Sequence, residues 1–406
     1  MAVMHRPEGA PGARDDAATG PAGGGGGVEW AEAGRAPEPE LVDPCAEREV
    51  IGARLRGDEE PGPPLDVFLT GTVFMDMIFT GLPGLPPPGT ELYSAGMGSA
   101  PGGAANMAVA MSRLGLRVGL AAAFGDDMFG RYLWRTLAEQ EGVDLSLARR
   151  LPRWPTPVTV SMAYAADRGM VTHHRPLPVP DSDLVTEPPR ARTCFVELER
   201  PIPDWALRMR ADGALVVADV GWDATETWSP AVIDRLADVD VFLPNAVEAM
   251  AYTRTRTPED AASRLAERVP QVVVKRGAGG AIAVDGVTGE CARAAGLPVT
   301  ALDPTGAGDV FAAGFVFGEL AGWPLPQRVR FANLCAGLSV RHYSGSLGAP
   351  CWGEIAAFGE GGEVPPEVLD EYGFVVSYIP ESAADSVTRA DPTVGYGASP
   401  PDAAGL

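Results

Sequence analysis

Between residues 65 and 300 the chain alternates short, nearly continuous apolar runs with stretches whose apolar positions recur every three or four residues. The runs "DVFLTGTV", "VGLAAAF", "TCFVEL", "ALVVADV", "VDVFLPN", "QVVVKRG" and "AIAVDG" lack the in-out alternation of a strand with one wet face. Strands buried on both faces read this way. The pattern therefore predicts a largely parallel sheet flanked by helices, a doubly wound α/β fold. The exception is "TPVTVSMAYAADRGMVTHH", residues 156–174, which reads as a hairpin turning at "ADRG" and suited to act as a small β lid. A helix from residue 309 to about 321 is apolar nearly all round (Val310, Phe311, Phe315, Val316, Phe317, Leu320), so it should be buried, and it stops at "GWP".

The pattern fails at both ends. Residues 1–62 contain "GGGGG" and "EEPGPP", and the stretch after about 380 is equally poor in core positions. Residues 1–62 read as a mostly disordered extension and residues 361–406 as a partly disordered one, around a domain of residues 63–360. Residues 30–56 hold enough apolar positions for a short helix docking on that domain, and "VLDEYGFVVSYI" at 368–379 suits an added strand in the 361–406 extension. Of the net charge of -22, residues 1–62 contribute 13 acids against 6 arginines and residues 361–406 contribute 8 against 1, so the domain itself is mildly acidic. Nothing resembles a basic stripe, which speaks against a nucleic-acid partner. No apolar run has the length of a membrane span, and "MAVMHRPEGAPGARDD" lacks the apolar stretch of a signal peptide, so the expected location is the cytoplasm, without a membrane partner. The five cysteines (Cys45, Cys194, Cys291, Cys335, Cys351) show no C-x-x-C spacing, which fits buried thiols in a reducing compartment and argues against zinc. Lysine occurs once, at Lys275, against 31 arginines, so that single lysine is informative.

Several polar positions are candidates for chemistry. In "GSAPGGAANMAVAMSRLG", Gly102 and Gly103 open an amphipathic helix with Asn106 in its first turns; a tight turn and a ligand cradle account for this equally. Asp76, in "GTVFMDMIF", ends an otherwise apolar strand, where a carboxylate is either exposed or partnered, for instance by a polyol. In "LPNAVEAM", Asn245 and Glu248 have the spacing of a capping box and equally that of a group organising the water shell of Mg²⁺. "VVVKRGAGGAIAV" is a hairpin, or a glycine turn that a nucleotide approaches with Lys275 near its phosphates. The stretch "DPTGAGDVFAAGFVFGEL", residues 303–320, is more specific. It sets Gly306, Ala307 and Gly308 at a helix N-terminus, an anion-binding arrangement, and yet puts the carboxylate of Asp309 there as well. Phe311 stands where a dinucleotide fingerprint has its third glycine, and the G-K-[ST] of a Walker loop is missing.

Together "PGGAANMAVAMSRLG", "FGDDMFG", "PNAVE", "VVVKRGAGG", "DPTGAGDVFAAGFVFGEL" and "FANLCAGLSVRHYSG" stand in the order and spacing of the ribokinase-like (PfkB) carbohydrate kinases, which the chain resembles over about residues 65–358. The resemblance implies ATP-dependent phosphorylation of a hydroxyl on a sugar or sugar-like molecule. It implies Asp309 as general base and the N–H groups of Gly306, Ala307 and Gly308 as an anion hole for the migrating phosphoryl group. Asp76, Gly102, Gly103 and Asn106 would hold the acceptor. Asn245, Lys275, Gly277, Gly280 and Asn333 would lie along ATP, Asn333 facing the adenine, and Glu248 would hold Mg²⁺ through water. Asp303 and Thr305, with carbonyls from about 337–346, would resemble the monovalent-cation (K⁺) site of part of the family. The lid would draw on parts of 72–98 and 156–175 and could join two copies as a homodimer. "ADVGWDATETW" at 218–228 departs from the Asp-Pro-Asn-x-Arg pattern of many relatives. The acceptor stays open among pentose, ketose, keto-deoxy sugar acid and nucleoside; a nucleoside kinase and a non-catalytic nucleotide or metabolite sensor are the rival readings.

Overall fold

The computed structural model describes residues 45, 47–57, 64–164, 167–178, 184–221, 223, 225–342, 345–358 and 365–380; the expectations for 1–44 and 381–406 lie outside the described residues. The first half of the chain forms α1 (Arg48–Arg56), β1 (Leu65–Thr70), β2 (Val73–Leu82), β3 (Gly96–Gly103), α2 (Ala104–Arg113), β4 (Val118–Ala121), β5 (Ala123–Gly125), α3 (Met128–Arg135), β6 (Arg149–Leu151), β7 (Val158–Tyr164) and β8 (Asp167–His173). The second half forms β9 (Ala191–Glu197), α4 (Asp204–Ala211), β10 (Leu215–Asp219), α5 (Ala231–Arg235), β11 (Val241–Phe242), α6 (Ala246–Thr253), α7 (Pro258–Ala266), β12 (Gln271–Lys275), β13 (Ala281–Asp285), β14 (Cys291–Ala294), α8 (Ala307–Leu320), α9 (Leu325–Ser339), α10 (Trp352–Ala356) and α11 (Pro366–Asp370).

The main sheet has eight strands in the order β14-β13-β12-β11-β10-β9-β1-β4. Every pairing from β4 to β12 is parallel, and β13 and β14 close the far edge antiparallel. Both faces are covered, which is why the strands read as continuous apolar runs. In β10, Val217 joins the cluster built with α2, α8 and α9, while Val216 and Ala218 join the cluster built with α4, α6 and α7. The all-round apolar α8 is buried as expected, and it runs close against α9: a Cβ on Gly314 would lie 2.9 Å from Ala332 Cα. Among the described residues no helix is long and apolar enough to cross a membrane.

The lid is a separate four-stranded sheet, β3-β2-β7-β8. Its β7–β8 hairpin pairs Tyr164 with Asp167, so Asp167, Arg168 and Gly169 of the expected "ADRG" turn belong to β8. A longer β8 carries Arg168 inside a strand rather than in a loop, with consequences for the site.

Three expectations are corrected. First, the boundary at residue 63 falls after structure that is already packed. The short docking helix expected within 30–56 is present as α1, with Ile51 fully buried, Arg48 donating to Glu141 O at 2.5 Å and Arg56 paired with Asp66 at 3.2 Å. Second, not all cysteines are thiols: Cys45 and Cys351, 306 residues apart in sequence, form a disulfide with Cα atoms 5.5 Å apart. Cys194 and Cys335 are buried thiols, and Cys291 is an exposed one. Third, residues 368–379 form no strand; α11 is followed by a 3₁₀ turn, Gly373–Tyr378. The compact turn brings the rings of Phe374 and Tyr378 to 5.2 and 4.7 Å from that of Trp323, edge-on contacts an extended strand would spread over both faces.

Two truncations separate these contributions. Removal of residues 1–44 should leave thermal melting and turnover unchanged. Removal of residues 1–57 also takes the disulfide and the buried Ile51, and should lower stability by about 2–4 kcal/mol, the usual worth of a long-loop cross-link. Equal melting temperatures for the two proteins would show that α1 contributes nothing.

Candidate active site

The charged groups of the site sit where parallel strands end and helices begin, the edge at which open α/β sheets bind ligands. α8 starts from Gly306, whose backbone is left-handed at φ 76°. A Cβ there would meet the Asn106 amide at 3.2 Å, so glycine both permits the turn and leaves room for Asn106. Asp309 is in the first turn of α8, and the helix has no side-chain cap. Its carboxylate instead accepts from Asn106 Nδ2 at 3.0 Å. Asn106 Oδ1 is buried with no hydrogen-bond partner, an acceptor left for a ligand's hydroxyl. Burial pushes the Asp309 carboxyl up to about 6, against the opposing pull of Lys275 and of the Asn106 bond. That value suits a base working near neutrality.

Lys275, at the end of β12, is ion-paired with Asp219 at the end of β10. Its Nζ lies 3.6 Å from where a Cβ on Gly308 would be, so the ammonium stands beside the glycine turn that opens α8. Burial raises the Asp219 carboxyl even with Lys275 beside it. Asp219 lies opposite Glu197 across the β9–β10 pairing, and burial together with the charges of Glu199, Asp309 and Asp219 lifts Glu197 to about 7.

Toward the lid, Asp76 of β2 is 8% exposed and raised to about 7, first by burial, then by the charges of Asp303 and Asp309, with Arg168 opposing. Gly102 on β3 leaves room for that carboxylate, because a Cβ there would overlap Asp76 Oδ2 at 2.0 Å and displace it. Gly103 turns at φ 64° into α2 and thereby brings Asn106 to Asp309. Asp303 Oδ1 accepts from Thr305 N at 2.9 Å and from Thr305 Oγ1 at 2.6 Å. Arg168 reaches across from the lid and donates to Thr305 Oγ1 at 3.0 Å.

On the other flank Asn245 and Glu248 form the reciprocal capping box, each bond 2.9 Å, and burial with the nearby Asp219 charge raises Glu248 to about 7. Gly277 (φ 55°) and Gly280 (φ 79°) carry the chain from β12 into β13, and a Cβ on Gly280 would strike Ala294 O at 2.0 Å. Asn333 spends its amide on Ala294 O and Ala295 O, at 3.3 and 3.2 Å, so its NH₂ is directed at backbone. A cavity of about 640 Å³ opens at the ends of β1 and β9, lined by Thr72, Trp154, Glu197, Arg200, Trp205 and Arg208 among others.

The residues present fit a nucleoside triphosphate and a hydrated divalent cation. The turn N–H groups and Lys275 offer an anion site, while Asp219 and Glu248 lie on the same edge. Among the described residues no three His, Cys, Asp or Glu side chains cluster so as to cage a metal. Sequence reasoning missed Asp219, Glu197 and Arg168. The first two carry the signal that singled out Asp76, a carboxylate closing an apolar strand; Arg168 carries none, being one of 31 arginines.

The model of the pfkB family of carbohydrate kinases matches residues 66–179 and 205–351. The chain belongs to this family. As a pfkB-family kinase it is 26% identical over 329 residues to the 5-dehydro-2-deoxygluconokinase of Geobacillus kaustophilus, spanning 73% of this chain and 93% of that one. It is 27% identical over 282 residues to the cytidine kinase of Thermococcus kodakarensis, at 66% and 92% coverage. The fold is similar to that of Arabidopsis thaliana ribokinase complexed with ribose and ATP, with a TM-score of 0.59, 22% identity, and 77% of this chain and 100% of that one covered.

Proposed function

We propose that this pfkB-family kinase transfers the γ-phosphoryl group of Mg-ATP to a hydroxyl of a keto-deoxy sugar acid, with Asp309 as general base. The observation that carries the chemistry is Asp309 itself, fixed by Asn106 in the first turn of α8, beside the Gly306–Gly308 turn. Bound Mg-ATP supplies the phosphoryl group and screens its charge. Asp309 takes the proton from the attacking hydroxyl; the turn N–H groups and Lys275 meet the charge that moves with the transferred group. Asp76 and Asn106 Oδ1 accept hydrogen bonds from the acceptor's other hydroxyls. In this reading Lys275 and the Gly277–Gly280 turn, toward β12 and β13, form the nucleotide flank, and the cavity at the ends of β1 and β9 belongs to the acceptor flank.

The choice of a sugar acid draws on the name of the Geobacillus relative and on the guanidinium groups of Arg200 and Arg208 in that cavity, counter-charges for a carboxylate. A nucleoside is the rival acceptor, favoured by the indoles of Trp154 and Trp205 in the same cavity, against which a base could pack. The lid exposes Met97, Met170 and Val171, apolar surface that a second copy would cover in a lid-to-lid homodimer. ADP release measured against sugar acids, neutral sugars and nucleosides tests the reading, with the ester product identified by ³¹P NMR. Highest kcat/KM on a keto-deoxy sugar acid supports it; preference for a nucleoside turns the assignment to the rival, and ATP binding without consumption on any acceptor turns it to a sensor.

A further inference from the structure

Asp303 and Thr305 are the side chains expected to hold a monovalent cation, and Asp303 Oδ1 and Thr305 Oγ1 are already engaged. Thr305 gives its only hydroxyl proton to Asp303 Oδ1 at 2.6 Å and accepts from Arg168 at 3.0 Å. Asp303 Oδ1 takes a second bond from Thr305 N at 2.9 Å, and the guanidinium lies 4.0 Å from it. A second cation on this pair would sit against that guanidinium. We propose that Arg168, carried on the lid, supplies the positive charge behind the anion hole that a bound monovalent cation would otherwise supply.

The placement gives this a mechanical consequence. Asp303 is 2% exposed and its Oδ2 is buried without a hydrogen-bond partner, so its charge depends on Arg168 for compensation. Thr305 immediately precedes Gly306, and the next N–H groups along the chain form the anion hole, so whatever fixes Thr305 fixes the hole. Arg168 sits on β8, the edge strand of the lid, opposite Ala163 and beside the hairpin turn, with 31% of its side chain exposed. Asp76, Asp303 and Asp309 gather here: Arg168 opposes the charges of Asp76 and Asp303, while Lys275, paired with Asp219, opposes that of Asp309. Arg168 therefore brings the counter-charge to Asp303 and ties the lid to the turn that opens α8. Arg168 acts through Thr305 and Asp303, as a positioning residue.

The test compares KCl with choline chloride at equal ionic strength, for the wild type and for Arg168→Met and Arg168→Lys. The wild type should melt at the same temperature in both salts and turn over equally fast in both. Arg168→Met should gain a K⁺-specific rise in melting temperature as K⁺ takes the emptied place. Its kcat should fall roughly 10–100-fold, less than the 10²–10³ of losing a direct donor, with KM for ATP little changed. K⁺ or guanidinium should restore part of that loss, and Arg168→Lys should retain more activity than Arg168→Met. A wild type that melts higher in K⁺ or needs K⁺ for turnover overturns the proposal, as does an Arg168→Met protein as fast as wild type in choline. This inference rests on the kinase reading only for its rate measurements; absent turnover in every salt would overturn that reading, while the melting comparison would still decide the role of Arg168.

Discussion

Asp309→Asn should bind Mg-ATP about as well as the wild type and yet transfer its phosphoryl group roughly 10²–10⁴ times more slowly, the usual worth of a positioned general base. The substitution keeps volume, polarity and a carbonyl oxygen able to accept from Asn106 Nδ2, and it removes the atom that takes the proton. A helix-capping role would give the opposite result, because Asn caps as well as Asp. The geometry already separates the two: α8 has no side-chain cap, and the Asp309 carboxylate points at Asn106. Stability should not fall, since a carboxylate held up to about 6 by burial is costly to keep ionised at neutral pH. Calorimetric ATP titration and rapid-quench single turnover check the two halves separately; near-normal transfer by Asp309→Asn would remove the base from the mechanism.

Arg113→Met should be among the most destabilising single changes in the domain. The side chains of Arg113 and Glu141 are both fully buried and pair through two parallel bonds of 2.9 Å. The same guanidinium donates to Leu347 O at 3.0 Å and Ala349 O at 2.7 Å, fastening the segment that leads to Cys351. Ser346 in that segment donates to Pro101 O, one residue before Gly102, so the fastening backs the end of β3. Removing the guanidinium strands the Glu141 charge in the core, where breaking a buried pair costs about 3–5 kcal/mol. Arg113→Met with Glu141→Leu should recover much of that loss, because the stranded charge goes too. Urea unfolding measures both; a loss below about 1 kcal/mol for Arg113→Met would mean that the pair behaves like an exposed one.

The sequence made the fold legible where burial is symmetrical. Strands such as Leu215–Asp219 are covered on both faces, and a continuous apolar run of that length is what such burial selects. It made Asp309 legible because an anion-binding turn with a carboxylate inside it conflicts with a simple cap. The docking of α1 was only half legible: Val50, Ile51 and Leu55 suggest a helix, while the tie to Cys351 joins residues that no local pattern relates. The 3₁₀ turn at 373–378 is set by the ring of Trp323, fifty residues earlier in the chain, and not by its own apolar run. Arg168 was invisible for the same reason. Its role comes from the lid bringing β8 over the Asp303 loop, and spacing along the chain carries no trace of that contact.

Single-turnover phosphoryl transfer followed by rapid quench across roughly pH 5 to 8 tests the central claim, that Asp309 accepts the proton of the attacking hydroxyl. Burial holds its carboxyl up to about 6, so the rate should climb tenfold per pH unit below that value, level off above it, and lose the break in Asp309→Asn. A wild-type rate that passes through pH 6 unchanged, or a break that persists in Asp309→Asn, would contradict it.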